Sequence, residues 1–189
     1  MLIRIFAFLL ETAFFVLIAA ALLRAWMNWL RVSMIGQPGS FVMALTDWLV
    51  KPLRRSLPKP LGQSRVDWAS VLAGVLMALA YALLWWLLFG LLLGGPAGGT
   101  VFGPAAVFAM LLFAVKMLLR VALQTLFMLV LGYAILSWVQ PGSSVYGLLA
   151  RLTEPMLAPF RRVIPTIGGV DLSALALLVV LQIGMMVLV

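Results

Sequence analysis

Four apolar stretches divide the chain: Ile5–Trp29, Trp68–Leu93, Ala105–Val139 and Leu172–Val189. A helix needs about 20 mostly apolar residues to cross the hydrocarbon of a bilayer. The pattern therefore predicts an all-α membrane protein with four transmembrane helices. The third stretch, at 35 residues, exceeds one crossing. It is expected to tilt, to protrude, or to begin with a separate interfacial turn. The fourth is short but uncharged.

The segments between these stretches differ in character. Leu30–Asp67 carries Arg31, Lys51, Arg54, Arg55, Lys59 and Arg65 against Asp47 and Asp67. Gln140–Asp171 carries Arg151, Arg161 and Arg162 against Glu154 and Asp171. Gly94–Pro104 has no charge, and its glycines mark a turn. Basic segments stay on the cytoplasmic side, so both basic connectors are expected there, with both termini and the glycine-rich connector outward. Within Ser40–Ser56, Phe41, Val42, Leu45, Trp48, Leu49, Pro52 and Leu53 recur at helical spacing. Val145–Ile164 does the same with Leu148, Leu149, Leu152, Met156 and Phe160. Both predict amphipathic segments lying in the interface, arginines toward lipid phosphates. Pro155 and Pro159 are expected to break the second into short pieces, unless each proline opens a new helical turn.

Composition agrees. Hydrophobic residues make up 66% of the 189 and charged residues 10%, where a soluble domain has about 25% charged. The net charge of +8 accompanies apolar spans, so it reports topology and anionic lipid rather than nucleic acid. With no cysteine and no histidine, disulfides, thiolate catalysis, Cys/His zinc sites and haem ligation by those residues are excluded. Met1–Ala25 places Arg4 ahead of an apolar run, as a signal peptide does, but Glu11 interrupts that run. The segment is expected to be retained as a helix.

The chain also repeats itself. Lys51-Pro52-Leu53-Arg54-Arg55-Ser56-Leu57-Pro58 returns 107 positions later as Ala158-Pro159-Phe160-Arg161-Arg162-Val163-Ile164-Pro165. Leu45-Thr46-Asp47 matches Leu152-Thr153-Glu154, Val66-Asp67 matches Val170-Asp171, and Trp29 matches Trp138. This predicts two tandem, parallel units, each span–basic segment–span: residues 1–93 and 105–189, joined by the connector 94–104.

The second passage resembles a known signature. Glu154-Pro155-Met156-Leu157-Ala158-Pro159-Phe160-Arg161-Arg162-Val163-Ile164-Pro165, then Gly168-Gly169-Val170-Asp171-Leu172-Ser173, with Leu136-Ser137-Trp138 upstream, is similar to the YggT family of small bacterial membrane proteins and plastid relatives. Members carry the unit once or twice, and the resemblance covers both halves. The second copy departs at Ala174, where the family has proline. The first departs at Trp48 and in an insertion between Pro58 and Asp67. The resemblance implies links to osmotic or envelope stress and to cation uptake in bacteria. In plastids it implies assembly of cytochrome complexes and membrane organisation. A haem role does not carry over to a chain without histidine or cysteine.

Three sets of residues hold candidate chemistry. Asp67 and Asp171 each precede a span, where a carboxylate caps free N–H groups and favours the helix dipole; Ser70 and Ser173 assist. The functional alternative is an acidic pair that attracts cations. Lys51, Arg54, Arg55, Arg161 and Arg162 are expected to contact lipid or a partner, with the prolines aiming the arginines at phosphate or carboxylate. Glu11, Lys116 and Arg120 lie inside apolar stretches, where an unpaired charge is costly. With Trp29 and Trp138 aligned, Glu11 and Arg120 are equivalent, and Lys116 lies one turn away. Glu11 is expected to meet Arg120 or Lys116. Arg24 is expected to reach for the cytoplasmic interface, and Gln124 and Gln182 to bond neighbouring helices.

The leading expectation is a non-enzymatic inner-membrane scaffold or assembly factor without cofactors. Its partners are anionic phospholipid and other membrane proteins or further copies of itself. The alternative is a cation channel or transporter serving an osmotic or envelope-stress response.

Overall fold

The computed structural model describes residues 1–34, 36, 38–58, 66–92, 103–164 and 171–188. Among them are six α-helices and no strands: α1 (Leu2–Trp29), α2 (Gly39–Ser56), α3 (Trp68–Leu92), α4 (Pro104–Val139), α5 (Ser144–Arg161) and α6 (Leu172–Leu188). Lys59, Arg65, most of the glycine-rich connector and Pro165–Val170 lie outside the described residues.

Three helices are long and apolar enough to cross a membrane, over Ile3–Trp29, Trp68–Leu88 and Pro104–Val139. The fourth expected span is an apolar helix of 17 residues. At about 1.5 Å per residue α6 covers about 26 Å, slightly less than a typical hydrocarbon layer. α4 is one continuous helix of 36 residues with no separate interfacial turn. Pro104 opens it, where a missing N–H costs nothing, and no proline interrupts its interior.

The chain forms two compact units, Met1–Val121 and Ala122–Val189. The division falls inside α4, not in the glycine-rich connector where the repeats meet in sequence. The reason is the length of α4. Its first half supplies Ala114, Met117 and Val121 to a core with Ile18 of α1 and Met77, Ala78, Tyr81 and Ala82 of α3. Its second half supplies Val130 and Tyr133 to a core with Leu157 of α5 and Ala174, Leu177 and Leu181 of α6.

In the first unit α2 packs on both α1 and α3. Val50 sits among Ala21, Ala69 and Ala73; these small side chains let the helices approach closely. The packed stripe of α2 is Gly39, Val42, Thr46 and Val50, whereas Phe41 and Trp48 of the expected apolar face are exposed. The apolar residues of α2 thus divide between the protein and its surroundings.

The link from α1 to α2 is tightly specified. Val32 N–H bonds Met27 C=O at 2.9 Å and Arg31 N–H bonds Asn28 C=O at 3.1 Å, a Schellman closure. Arg31 takes the left-handed position at φ 53°. α2 then starts at Gly39, where an added Cβ would lie 2.7 Å from Met34 Cα. That neighbour is backbone and cannot swing aside. Gly39→Ala is therefore expected to destabilise the first unit by about 1–3 kcal/mol, read as a lower unfolding midpoint in detergent. An unchanged midpoint would show that the link tolerates the shift.

α5 is one helix despite Pro155 and Pro159 inside it. Each proline removes one backbone bond, yet buried Leu152, Thr153 and Leu157 hold the helix to its unit. The Thr153 hydroxyl donates to Leu149 C=O at 2.8 Å. Ser143 caps the start, accepting Tyr146 N–H at 3.1 Å.

Candidate functional site: the arginine–carboxylate clamps

In each unit, one arginine of the amphipathic helix reaches the aspartate that opens the next helix. In the first unit Arg54 Nη2 donates to Asp67 Oδ2 at 2.6 Å. The same oxygen accepts Asn28 Nδ2 of α1 at 2.8 Å and Ser70 Oγ of α3 at 2.8 Å. The Asp67 side chain is only 7% exposed. One carboxylate thus joins α1, α2 and α3. The backbone carbonyl of Asp67 accepts the amides of Ser70 and Val71 in the first turn of α3.

In the second unit Arg161 engages three groups. Its Nε and Nη2 donate to Asp171 Oδ2 at 3.1 and 3.0 Å. Its Nη1 donates to Glu154 Oε2 at 2.6 Å, and its Nη2 to the Tyr133 hydroxyl at 2.7 Å. The guanidinium also lies 5.8 Å from the Tyr133 ring centre, and Tyr133 stacks on Tyr146. Asp171 Oδ1 accepts the Ser173 hydroxyl and, at 3.1 Å, Ser173 N–H, the geometry of a side-chain cap on α6.

The first unit holds a second cation absent from the other. Arg24 is 5% exposed and is held against α2 rather than in open solvent. Its Nη1 donates to Thr46 Oγ1 at 2.7 Å and to Asp47 Oδ1 at 2.8 Å. Thr46 in turn donates to Val42 C=O. Lys51 Nζ closes on Asp47 Oδ2 at 2.7 Å. Arg24 turns inward because α2 lies across α1 and presents a carboxylate there.

These environments set the acid–base behaviour. The Lys51 hydrogen bond leads, ahead of burial, which opposes it, and Arg24, in holding the Asp47 carboxyl below the usual carboxylate value. Burial pushes Asp171 up, but Ser173 and Arg161 together pull harder, and it too rests low. Burial lowers Arg161, and Asp171, Tyr133 and Glu154 together raise it above its ordinary value.

The other sequence-selected residues lie apart from the clamps. Arg55, Arg151 and Arg162 are exposed and have no carboxylate within 4 Å among the described residues. Glu11 and Arg120 face each other at 3.9 Å on the surface of the first unit, and Lys116 is exposed one turn away. Gln182 is exposed and Gln124 half-buried.

Sequence reasoning missed Arg24, Asn28 and Tyr133 as members of the clamps. A signal was present: aligning Trp29 with Trp138 also aligns Arg24 with Tyr133 and Asn28 with Ser137. Among the described residues no three His, Cys, Asp or Glu side chains gather to hold a metal ion. The clamp carboxylates face cations of the chain itself. The arrangement is suited to fixing helices and presenting charge.

Known proteins are similar to this chain in sequence. The CCB3/YggT family model matches residues 3–88 and again residues 110–189. A Vibrio alginolyticus protein encoded in the proC 3′ region is 35% identical over 178 residues, covering 93% of this chain and 89% of its own length. Escherichia coli YggT is 31% identical over 177 residues, covering 93% and 85%. A Pseudomonas aeruginosa relative is 32% identical over 168 residues, covering 88% and 79%. No solved structure matches the chain. Arg24, Arg54 and Arg161 and their partners Asp47, Asp67 and Asp171 all fall inside the matched segments, and the chain belongs to the CCB3/YggT family.

Proposed function

We propose that the protein is a non-enzymatic scaffold of the bacterial inner membrane, with four spans and with α2 and α5 lying in the cytoplasmic interface. Its basic face binds anionic phospholipid and docks membrane-protein partners. The observation that carries this reading is a division of labour within the repeated arginine pair. Arg54 and Arg161 are each engaged by a carboxylate, Asp67 and Asp171, although Arg54 remains half exposed. Arg55 and Arg162, each the next residue, are exposed. The clamp fixes the helix, and the helix presents the free guanidinium at headgroup level, where each basic residue contributes about 1 kcal/mol toward an anionic surface.

The cores of the two units support a packed scaffold over a transport path. Among the described residues the buried polar and charged side chains are Arg24, Thr46, Ser70, Thr153 and Ser173, which lie on the amphipathic helices or near the helix ends that face them rather than spaced along a span. Glu11 lies on the surface of its unit, outside the core it would need to enter to line a route.

The test is lipid retention in native mass spectrometry of the detergent-solubilised protein. Phosphatidylglycerol should be retained over phosphatidylcholine, and Arg55→Gln/Arg151→Gln/Arg162→Gln should remove that preference without changing the unfolding midpoint. Unchanged retention would refute the lipid role. Cation flux through liposomes holding the purified protein, abolished by one intramembrane substitution, would replace the scaffold with a transporter.

A further inference from the structure

Glu11, Lys116 and Arg120 lie away from the basic face, and their depth is set by Arg24. Arg24 binds Asp47 on α2, the interfacial helix, so it marks the hydrocarbon boundary on that side. Glu11 precedes Arg24 by 13 residues, about 20 Å along α1 at 1.5 Å per residue. In a hydrocarbon layer of about 30 Å, Glu11 stops about 10 Å short of the far boundary.

Arg120 shares that depth, since its Nη1 is 3.9 Å from Glu11 Oε1. At that distance the two charges attract without a hydrogen bond. The side chains are 45% and 51% exposed. Lys116 is exposed on the same face of α4, with no carboxylate within 4 Å among the described residues. One carboxylate and two cations therefore face outward at hydrocarbon depth, where charged side chains require partners. A lipid phosphate answers only the cations, by snorkelling. It repels Glu11.

The pattern is complementary to itself. A twofold axis along the membrane normal brings Glu11 of one copy to Lys116 of the other, and the reverse contact follows by symmetry. We propose that α1 around Glu11 and α4 around Lys116 form a homodimer interface within the bilayer. Two reciprocal Glu11–Lys116 pairs close it, Arg120 orients each Glu11 from its own chain, and exposed Phe8 and Leu119 provide apolar packing beside them. The inference requires α1 and α4 to cross the bilayer and is independent of lipid binding at the basic face.

The chain lacks cysteine, so introduced thiols report contacts cleanly. Two differently tagged copies, one Phe8→Cys and the other Leu119→Cys, are co-expressed and oxidised in native membranes. A disulfide-linked species carrying both tags is expected. Copies bearing Leu83→Cys, exposed on α3, should give none. Added to both tagged copies, Glu11→Gln or Lys116→Gln should reduce the cross-link. Glu11→Lys should abolish it, and adding Lys116→Glu should recover it. Immunoblots of membrane-integrated protein separate lost pairing from lost folding, and the Gln variants suffice if the inverted charges fail to insert. No cross-link at equal protein levels overturns the proposal. So does a cross-link indifferent to all these charges. A monomer whose Lys116 and Arg120 retain phosphatidylglycerol also overturns it, with lipid as the occupant instead.

Discussion

Asp47→Ala will destabilise the first unit by about 3 kcal/mol, within the range found when one partner of a buried ion pair is removed. The cost comes from Arg24, a guanidinium only 5% exposed that would lose its charge partner. Without Asp47 the hydroxyl of Thr46 is left to face the guanidinium. The Asp47 side chain is 28% exposed, which lets some water reach the pair and holds the figure at the lower end. Lys51 binds the other carboxylate oxygen but is 68% exposed, so Lys51→Ala should cost at most about 1 kcal/mol. Removing both charges, as Arg24→Leu/Asp47→Leu, should recover most of the loss, because an apolar pair leaves no stranded charge. Unfolding of the purified protein in mixed micelles measures all three. Equal losses for Asp47→Ala and Lys51→Ala would show that Arg24 is solvated and that the buried pair does not govern the unit.

Much of this fold is visible in the pattern of the chain. The three long helices coincide with apolar stretches because a bilayer and a helix impose their own lengths. The amphipathic helices are visible in their spacing, and the repeat identifies Arg54, Arg161, Asp67 and Asp171 as a set. Partner choice is less accessible. Neither Arg54 nor Arg55 is distinguished by composition; the phase of α2 brings one within reach of Asp67 and points the other away from it. Phase also explains the apolar face of α2, which a helical wheel treats as one stripe and tertiary packing splits between Val42 and Trp48. The persistence of α5 through two prolines is a tertiary effect, since packing of Leu152 and Leu157 overrides local propensity.

The two units also solve one electrostatic problem differently. In the first, Asp47 and Asp67 have separate arginines, Arg24 and Arg54. In the second, the position equivalent to Arg24 is Tyr133, and Arg161 serves both Glu154 and Asp171. Tyr133 fills the vacated place with a neutral hydroxyl and a ring face for the same guanidinium. The second clamp therefore depends on the planar fork of a single residue.

That dependence makes Arg161→Lys a severe change, expected to cost about 2–4 kcal/mol, while Arg162→Gln, exposed and outside the clamp, stays within about 0.5 kcal/mol. A lysine ammonium is a compact point charge and cannot reproduce contacts to Asp171, Glu154 and Tyr133 through three separate nitrogens. The acid limb of the unfolding profile gives an independent check. Because Asp171 titrates below its ordinary value of 3.8, its ionised form stabilises the fold fully above that value. The contribution is lost as pH falls from about 4 through the lower folded value. Arg161→Lys should bring Asp171 closer to its ordinary value, so the variant should lose less stability than the parent over that acid range, although it is the less stable protein at neutral pH. An acid limb of unchanged depth would mean that Ser173, rather than Arg161, holds the Asp171 charge. The clamp would then fix the helix without tuning its carboxylate.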